Sequence, residues 1–352
     1  MSLLNMLENE SGGNISLLAQ DFLSITAKEV SNISGDILPL VSVLMISYNH
    51  EKSIAQAIES ILSQECEFSF ELIIGEDWSR DKTRDICFDY QKKYPGIVRV
   101  VFSDENVGMH RNFARIWYRA RGKYIAMCEG DDYWIDRGKI AKQIAWLEER
   151  SNFTMCGTLT EKIIQDKDGA WIKCGVVRPI EIKERYDLED LIPNYSFHFS
   201  SIVLRKDAVR FPRWFWDVYC VDRPLYLLCA EKGPVGFLPE VTSVYRLHDG
   251  GIWSLSDNIG KASKGIKLFE NIDRHFDGRY TKLIRQTLGN IIWSYMAESL
   301  EADDRASAKK LFWSAMHYQF PRLKLSLLRI QLVVAMRLYL PMIYEGIKKF
   351  RR

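Results

Sequence analysis

Between residues 41 and 149, short apolar runs alternate with longer segments whose apolar side chains recur every three or four positions. VSVLMIS (41–47) reads as a buried strand, and Tyr48-Asn49-His50 breaks it. Residues 51–64 follow as a helix with Ile54, Ile58, Ile61 and Leu62 on one face. A second strand covers 70–75, and a second helix covers 82–94 until Pro95-Gly96 stops it. A third strand spans 97–102. Gly108 opens the third helix, on which Phe113, Ile116, Trp117 and Ala120 share a face. A fourth strand, 124–128, leads to a helix at 137–149, for which Asp136 is the expected N-cap. Strand–helix units about thirty residues apart predict a parallel sheet with right-handed crossovers.

After residue 151 the rhythm changes. Strands are expected at 154–160, 170–177 and 200–205 without regular helices between them. Asp222-Arg223-Pro224 starts a helix to about residue 232. Residues 235–244 are extended, and paired glycines make 245–251, YRLHDGG, a loop. The chain is helical from 258 to 319, then apolar and basic over 323–350. Residues 1–38 are polar, with one helix expected at 17–29 and no assigned chemistry. The predicted organisation is an N-terminal extension (1–38), an α/β domain (39–256, with halves 41–149 and 150–256) and a C-terminal helical region (257–352).

Charge alters the picture at one end only. The chain of 352 residues has a net charge of +2. Residues 321–352 hold eight Lys or Arg against Glu345, a local +7, so the remainder carries −5. That distribution argues against a nucleic-acid partner. The tail has two readings. One is an interfacial helix on an anionic membrane surface; the other is a helix packed on the body. Arg337 near its middle and Pro341, which would bend a helix, argue against a span. No run of 18 uncharged apolar residues and no secretory leader pattern is present. Seven cysteines without a CxxC pair argue against a disulfide framework and a zinc site, and a reducing cytosol is the expected compartment.

The chemistry concentrates in KYIAMCEGDDYW (123–134). The fourth strand delivers Glu129, Asp131 and Asp132 within four residues. Like charges this close raise one another's pKa unless a cation relieves them. Mg²⁺ or Mn²⁺ on oxygen ligands is one reading, and a solvated acidic turn is the other. Polar residues at several strand ends (Tyr48-Asn49, Glu76-Asp77, Asp104 and 129–132) predict a ligand site at that edge of the sheet. No GxGxxG or GxxxxGK[ST] occurs at these turns, so an ordinary dinucleotide or P-loop site is not expected.

Four motifs in this order resemble family 2 glycosyltransferases of the GT-A fold: VSVLMISYNHE (41–51), ELIIGEDWSRDKT (71–83), ENVGMHRNFARIWYRARGKYI (105–125) and EGDDYW (129–134). The resemblance continues more loosely through VDRPLY (221–226) and YRLHDGG (245–251). The EGDDYW form is similar to that of bacterial enzymes that build surface polysaccharides such as O-antigen and capsule. Two departures stand out: Glu76 precedes Asp77 where the family often has an Asp pair, and the Asp-x-Asp motif begins with Glu129.

The resemblance implies an inverting, metal-dependent transfer from a nucleotide-sugar donor, by the family a UDP-sugar, to a saccharide acceptor. It makes Asp131 the best metal ligand, with Asp132 or Glu129 assisting, and Asp222 the general base. From the residues alone, Asp222 two places before Pro224 reads first as an ordinary N-cap, and one carboxylate could do both jobs. His248 would reach the metal or the diphosphate, or is structural. Tyr48, Asn49, Glu51 and Asp77 fall on the nucleotide side, and Asp104, Arg111 and Asn112 line the donor side. Trp78 and Trp134 pack against sugar or seal the cleft. The expected acceptor is lipid-linked, met at the cytoplasmic face of the membrane through peripheral contact by the tail. A sugar-1-phosphate nucleotidyltransferase would need a glycine-rich first loop that Ser47-Tyr48-Asn49-His50 lacks. A non-catalytic scaffold would not need the carboxylates.

Overall fold

The structure is a computed structural model and describes residues 27–31, 38–194, 196–248, 256–319 and 325–339. The chain divides into two compact units, residues 1–248 and 249–352.

The first unit is built on one 11-stranded sheet. Its strands are β1 (Lys28–Val30), β2 (Val41–Ser47), β3 (Phe70–Glu76), β4 (Val98–Phe102), β5 (Tyr124–Met127), β6 (Tyr133–Trp134), β7 (Met155–Gln165), β8 (Trp171–Val177), β9 (Arg185–Tyr186), β10 (Val203–Arg205) and β11 (Val235–Leu247). The order runs β1-β4-β3-β2-β5-β10-β7-β11-β6, with β8 on β7 and β9 on β11. β4, β3, β2 and β5 are mutually parallel, as are β7 and β11. β10 joins the two sets as an antiparallel strand between β5 and β7. The mostly parallel sheet flanked by helices is thus present.

The helices of this unit are α1 (Ile54–Leu62), α2 (Thr83–Lys93), α3 (Met109–Trp117), α4 (Lys139–Glu149), α5 (Leu188–Leu191) and α6 (Asp222–Lys232). The strand pattern explains where they lie. Val41, Val43 and Met45 join Ile54, Ile58, Ile61, Cys87, Ile140 and Leu147 in one core cluster, so α1, α2 and α4 cover one face. α3 packs on β2 and β3.

Successive strands step outward from β2 to β4, and then β5 returns to pair on the other side of β2. The strand order therefore reverses between β2 and β5, the place where open α/β sheets bind ligands. The segment after β2 and the acidic turn after β5 both start there.

Some boundaries differ from the sequence reading. Lys28–Val30 pairs with β4 as an edge strand, so the C-terminal end of the helix expected at 17–29 is a strand instead. The rest of that expected helix lies outside the described residues. Of the strand expected at 200–205, Phe199–Ser201 is a 3₁₀ turn and only Val203–Arg205 pairs. β11 runs on through Leu247, so the first three residues of the expected 245–251 loop are strand, held by β7. Residues 249–251 lie outside the described residues. α4 starts at Lys139 after an uncapped Gly138; Asp136 instead accepts the Gly138 N–H and pairs with Lys142.

Gly236 of β11 allows α4 to close on the sheet. A Cβ there would lie 1.9 Å from Trp146 Cη2. Trp146 is pinned by an edge-on contact with Phe153 and by the Arg150 guanidinium 4.5 Å over its ring. Gly236→Ala is expected to destabilise the unit by about 1–3 kcal/mol or more through overpacking, read as a lowered denaturation midpoint.

The second unit contains α7 (Asn258–His275), α8 (Thr281–Glu301), α9 (Arg305–Gln319) and α10 (Leu325–Tyr339). Ala262, Ile292, Met296, Leu311, Phe312 and Leu338 share its core. α10 thus buries Leu338 within the bundle, whereas Leu332 and Val333 are exposed. Among the described residues no helix is long and apolar enough to cross a membrane. Pro341 and the basic residues after it lie outside the described residues.

Candidate active site

The acidic turn hangs on the switch between β2 and β5. Cys128 N–H donates to Leu44 O and Gly130 N–H to Ile46 O, extending the pairing beyond β5. Asp132 N–H then donates to Glu129 O and closes the turn. Gly130 cannot carry a side chain: a Cβ would meet His50 Nδ1 at 2.7 Å and Ser47 Oγ at 2.8 Å. The close approach packs the turn against the end of β2.

The carboxylates diverge into two groups. Asp131 is bracketed by imidazoles, with its Oδ2 3.0 Å from His248 Nε2 and 3.7 Å from His50 Nε2. The other side of the His50 ring, Nδ1, lies 3.2 Å from Ser47 Oγ. Burial works against the Asp131 charge, yet the His248 hydrogen bond and the two nearby imidazoles hold its pKa down at about 2.

Asp132 points inward. Its Oδ2 accepts the Ser200 hydroxyl at 2.8 Å and lies 3.5 Å from His198 Nδ1, and its Oδ1 accepts the Arg246 N–H at 3.2 Å. The Ser200 N–H donates to His198 Nδ1, so that nitrogen is an acceptor. The His198 ring stacks on Tyr245 at 4.2 Å, and burial lowers its pKa to about 4. Ligand atoms from Glu129, Asp132 and His198 all lie within 4.8 Å of one another. Burial pushes both Glu129 and Asp132 well above the usual carboxylate range. The charge of Asp131 adds to this at both residues, and Asp132 and Asp222 add to it at Glu129. Carboxyl oxygens with an imidazole nitrogen, in a cluster whose own charges repel, suit a hard or borderline divalent cation. The donor set therefore fits Mg²⁺ or Mn²⁺.

Arg246 spans both groups. Its Nη1 donates to Asp131 O at 2.5 Å, a second nitrogen bonds Gln56, and its guanidinium lies 4.4 Å over the Tyr133 ring. Asp222 is the first residue of α6, and the cap position falls on Val221 without a side-chain cap. Asp222 accepts the Arg223 N–H at 2.7 Å. It is half-buried, and its charge helps to raise Glu129 and Tyr245, which sets it beside the acidic turn.

Most residues expected on the donor side hold its loops together. Asn49, in the left-handed region at φ 57°, donates its N–H to Ser79 Oγ and accepts the Arg80 N–H. Across the same two loops the Glu51 N–H donates to Asp81 Oδ2 and the Lys82 N–H donates to Glu51 Oε2. Asp77 is nearly buried, with its two oxygens accepting the Val107 and Gly108 N–H groups and Arg115 3.5 Å away. Burial outweighs these bonds and raises its pKa. The expectation that Asn112 lines the site is corrected. It is 2% exposed, its amide donates to Gly75 O, and its oxygen accepts from Arg115. It braces α3 against β3. Asp104 pairs with Lys28 of the edge strand β1. Arg111 is half-buried near the start of α3, and Tyr48 is 41% exposed beside the switch. Trp134 is buried and donates to Ser200 O, so it seals the site; Trp78 is exposed, with Arg84 over its ring.

The family model for glycosyl transferase family 2 matches residues 42–210. TuaG of Bacillus subtilis, which is named as a teichuronic acid biosynthesis glycosyltransferase, is 38% identical over 231 residues, 64% of this chain and 85% of TuaG. This chain belongs to glycosyl transferase family 2. An uncharacterized protein of Mycobacterium tuberculosis is 34% identical over 213 residues, and the match spans 60% of each chain. A mannosyltransferase from Pyrobaculum calidifontis, solved with GDP-Man and Mn²⁺, has the same fold at a TM-score of 0.52 and 16% identity, over 95% of this chain and 97% of that one.

Within this family chain, four residues at the turn were not singled out from sequence: His50, His198, Ser200 and Arg246. His50 and Arg246 sit inside the quoted motifs, next to residues that were named. His198 and Ser200 precede β10, and no local pattern connects them to residue 132. Only the antiparallel insertion of β10 beside β5 does so.

Proposed function

We propose that the chain transfers a sugar from a nucleotide-sugar, by family a UDP-sugar, to a saccharide acceptor, with inversion at the anomeric carbon and dependence on Mg²⁺ or Mn²⁺. The observation that carries the reading is the Glu129–Asp132 turn at the sheet's switch point, bracketed by imidazoles and flanked by Asp222. A bound cation would neutralise the departing diphosphate. Asp131 with His248, and Glu129 with Asp132 and His198, are the groups that would hold it. Asp222 takes the proton of the acceptor hydroxyl as its oxygen bonds to the anomeric carbon. The bond from that carbon to the diphosphate oxygen breaks on the opposite side, so one displacement inverts the centre. Tyr48 stacks on the base, Asp77 holds the 107–108 backbone against it, and Arg111 faces the phosphates.

The role is in surface polysaccharide synthesis, in keeping with the TuaG match. The acceptor is lipid-linked, and the chain meets it as a peripheral protein at the cytoplasmic face of the membrane. The exposed Leu332 and Val333 and the basic residues after 340 support tail contact. A chain ending near residue 320 that partitions with membranes as well as the full chain would contradict that contact. The transfer itself is tested by incubating the chain with UDP-, GDP- and dTDP-sugars and Mn²⁺ or EDTA; metal-dependent release of one nucleotide is the expected result.

His50 acts through Asp131. With Nδ1 3.2 Å from Ser47 Oγ, it presents Nε2 to the same carboxylate oxygen that meets His248. Partners that orient a metal ligand typically contribute 10–100-fold to metal affinity. His50→Ala is therefore expected to weaken Mn²⁺ binding by roughly 10–100-fold, followed by the electron paramagnetic resonance of free Mn²⁺. Unchanged Mn²⁺ affinity would leave His50 a packing residue.

A further inference from the structure

The outer face of the β7–β8–β11 region has chemistry that the transfer reaction does not use. Six large apolar side chains between residues 164 and 182 are exposed: Ile164, Trp171, Ile172, Val176, Ile180 and Ile182, the last two at 85% and 56%. Ile164 and Ile172 pair on one face of the β7–β8 ribbon; Trp171 and Val176 stand on the other, the face that carries the groove, and an exposed apolar group on one face marks a contact with something apolar. Part of this surface is shaped. Leu159, Val176, Ile182 and Val241 line a groove of about 460 Å³, within the range of small-ligand sites, and Arg178 lies at it.

Charge says what the groove takes. The acids around it are already paired: Glu161 with Lys173, Glu181 with Lys183 and Glu240 with Lys142. Arg178 makes no ion pair among the described residues. Residues 161–184 hold five Lys or Arg against five acids, and Lys173 and Lys183 are taken up by Glu161 and Glu181. The groove is therefore apolar, with Arg178 the one charge lining it among the described residues. A guanidinium beside an aliphatic groove matches a phosphate joined to a hydrocarbon chain, because the fork of N–H donors fits phosphate oxygens while the groove takes the chain. A free sugar phosphate would leave the aliphatic walls wet, and an acidic peptide would leave the groove empty.

The surface also reaches the active site. β8 pairs with β7 so that Trp171 and Lys173 stand opposite Gln165 and Ile163. Ile163 in turn neighbours Arg246 of β11. Trp171 lies 5.8 Å from the Arg246 guanidinium that holds the Asp131 carbonyl. Tryptophan at such a margin is suited to a membrane–water boundary, where its ring is half wet.

We propose that this face docks on anionic lipid, with the groove taking hydrocarbon and Arg178 a lipid phosphate, so that the transfer site opens at the bilayer surface. The inference deepens the reading of a lipid-linked acceptor and rests on it for its purpose. It is separate from the tail, which belongs to the other unit.

The test is sedimentation of the full chain with phosphatidylcholine vesicles, with and without phosphatidylglycerol. Arg178→Glu and Ile182→Asp are compared with wild type. Both positions are exposed, so the variants should fold, which their melting temperatures will show. A basic side chain near an anionic surface contributes about 1 kcal/mol, about fivefold in partition. Arg178→Glu is expected to weaken binding to phosphatidylglycerol vesicles at least fivefold, and Ile182→Asp to weaken binding to both kinds. Wild-type partition by both variants, or no vesicle binding by the wild type, overturns the proposal. So does a wild-type dimer that Ile182→Asp dissociates while vesicle binding is unchanged, since the face would then be a contact between copies. Nucleotide binding is measured on the same samples. Vesicle binding that depends on Arg178 in a chain that binds no nucleotide would sink the transferase reading and leave the lipid surface standing.

Discussion

Asp131→Ala is expected to lower metal-dependent nucleotide release on the order of 10³-fold, the scale seen when a group that meets developing charge is removed. The structure makes this variant unusually clean to interpret. Asp131 repels Glu129 and Asp132, and part of the rise in their pKa values comes from its charge. Removing it relieves that repulsion, while the backbone of the turn stays tied to Ile46 and to Arg246. The same substitution removes the imidazole pairing that holds the Asp131 pKa at about 2, so the two effects oppose each other and the melting temperature is expected to change little as activity falls. Loss of activity with loss of fold would mean instead that Asp131 is a structural partner of His50 and His248. Asp131→Asn keeps the shape and removes the charge, and it should behave like the alanine variant.

Asp222→Asn is the second large effect. A general base contributes roughly 10²–10⁴-fold, and the variant is expected to lose that much in turnover with acceptor. Nucleotide and Mn²⁺ affinities should not weaken, because Asp222 is outside the group of Glu129, Asp132 and His198. The measurement is turnover with acceptor beside calorimetric binding of nucleotide. Equal losses in both would place Asp222 in donor binding. Asp222 is not the cap of α6; its carboxylate accepts the Arg223 N–H and bonds the Cys220 thiol, and a role confined to holding that turn would lower the melting temperature of Asp222→Asn rather than its turnover.

Much of the first half of the sheet was legible because each strand is buried on both faces and each helix shows one apolar stripe. VSVLMIS and the 137–149 segment could hardly be read otherwise. The acidic turn was legible for a similar reason, since three carboxylates after a buried strand have few structural uses. Two kinds of information were missing. Edge pairing was one: Lys28–Val30 is short and polar, and nothing local says that β4 lacks a neighbour. Long-range convergence was the other. Asp131 and Asp132 look equivalent in EGDDYW, yet one meets His248 and His50 and the other meets Ser200 and His198. Adjacent residues in a tight turn point apart, and their partners lie in turns and connections 66 to 117 residues away along the chain. Asn112 shows the converse error. A polar residue in a recognised motif was read as a ligand contact, but its neighbours, Gly75 and Arg115, make it a brace inside α3.

A divalent cation at the Glu129–Asp132 turn is expected to couple to nucleotide binding. Calorimetric titration of the full chain with UDP, GDP and dTDP, in Mn²⁺ and again in EDTA, tests it most directly. One nucleotide, UDP by the family reading, is expected to bind in Mn²⁺ and far more weakly in EDTA, and Asp131→Ala is expected to resemble the EDTA result. A folded protein that binds none of the three in Mn²⁺, or binds one equally well in EDTA, would contradict it.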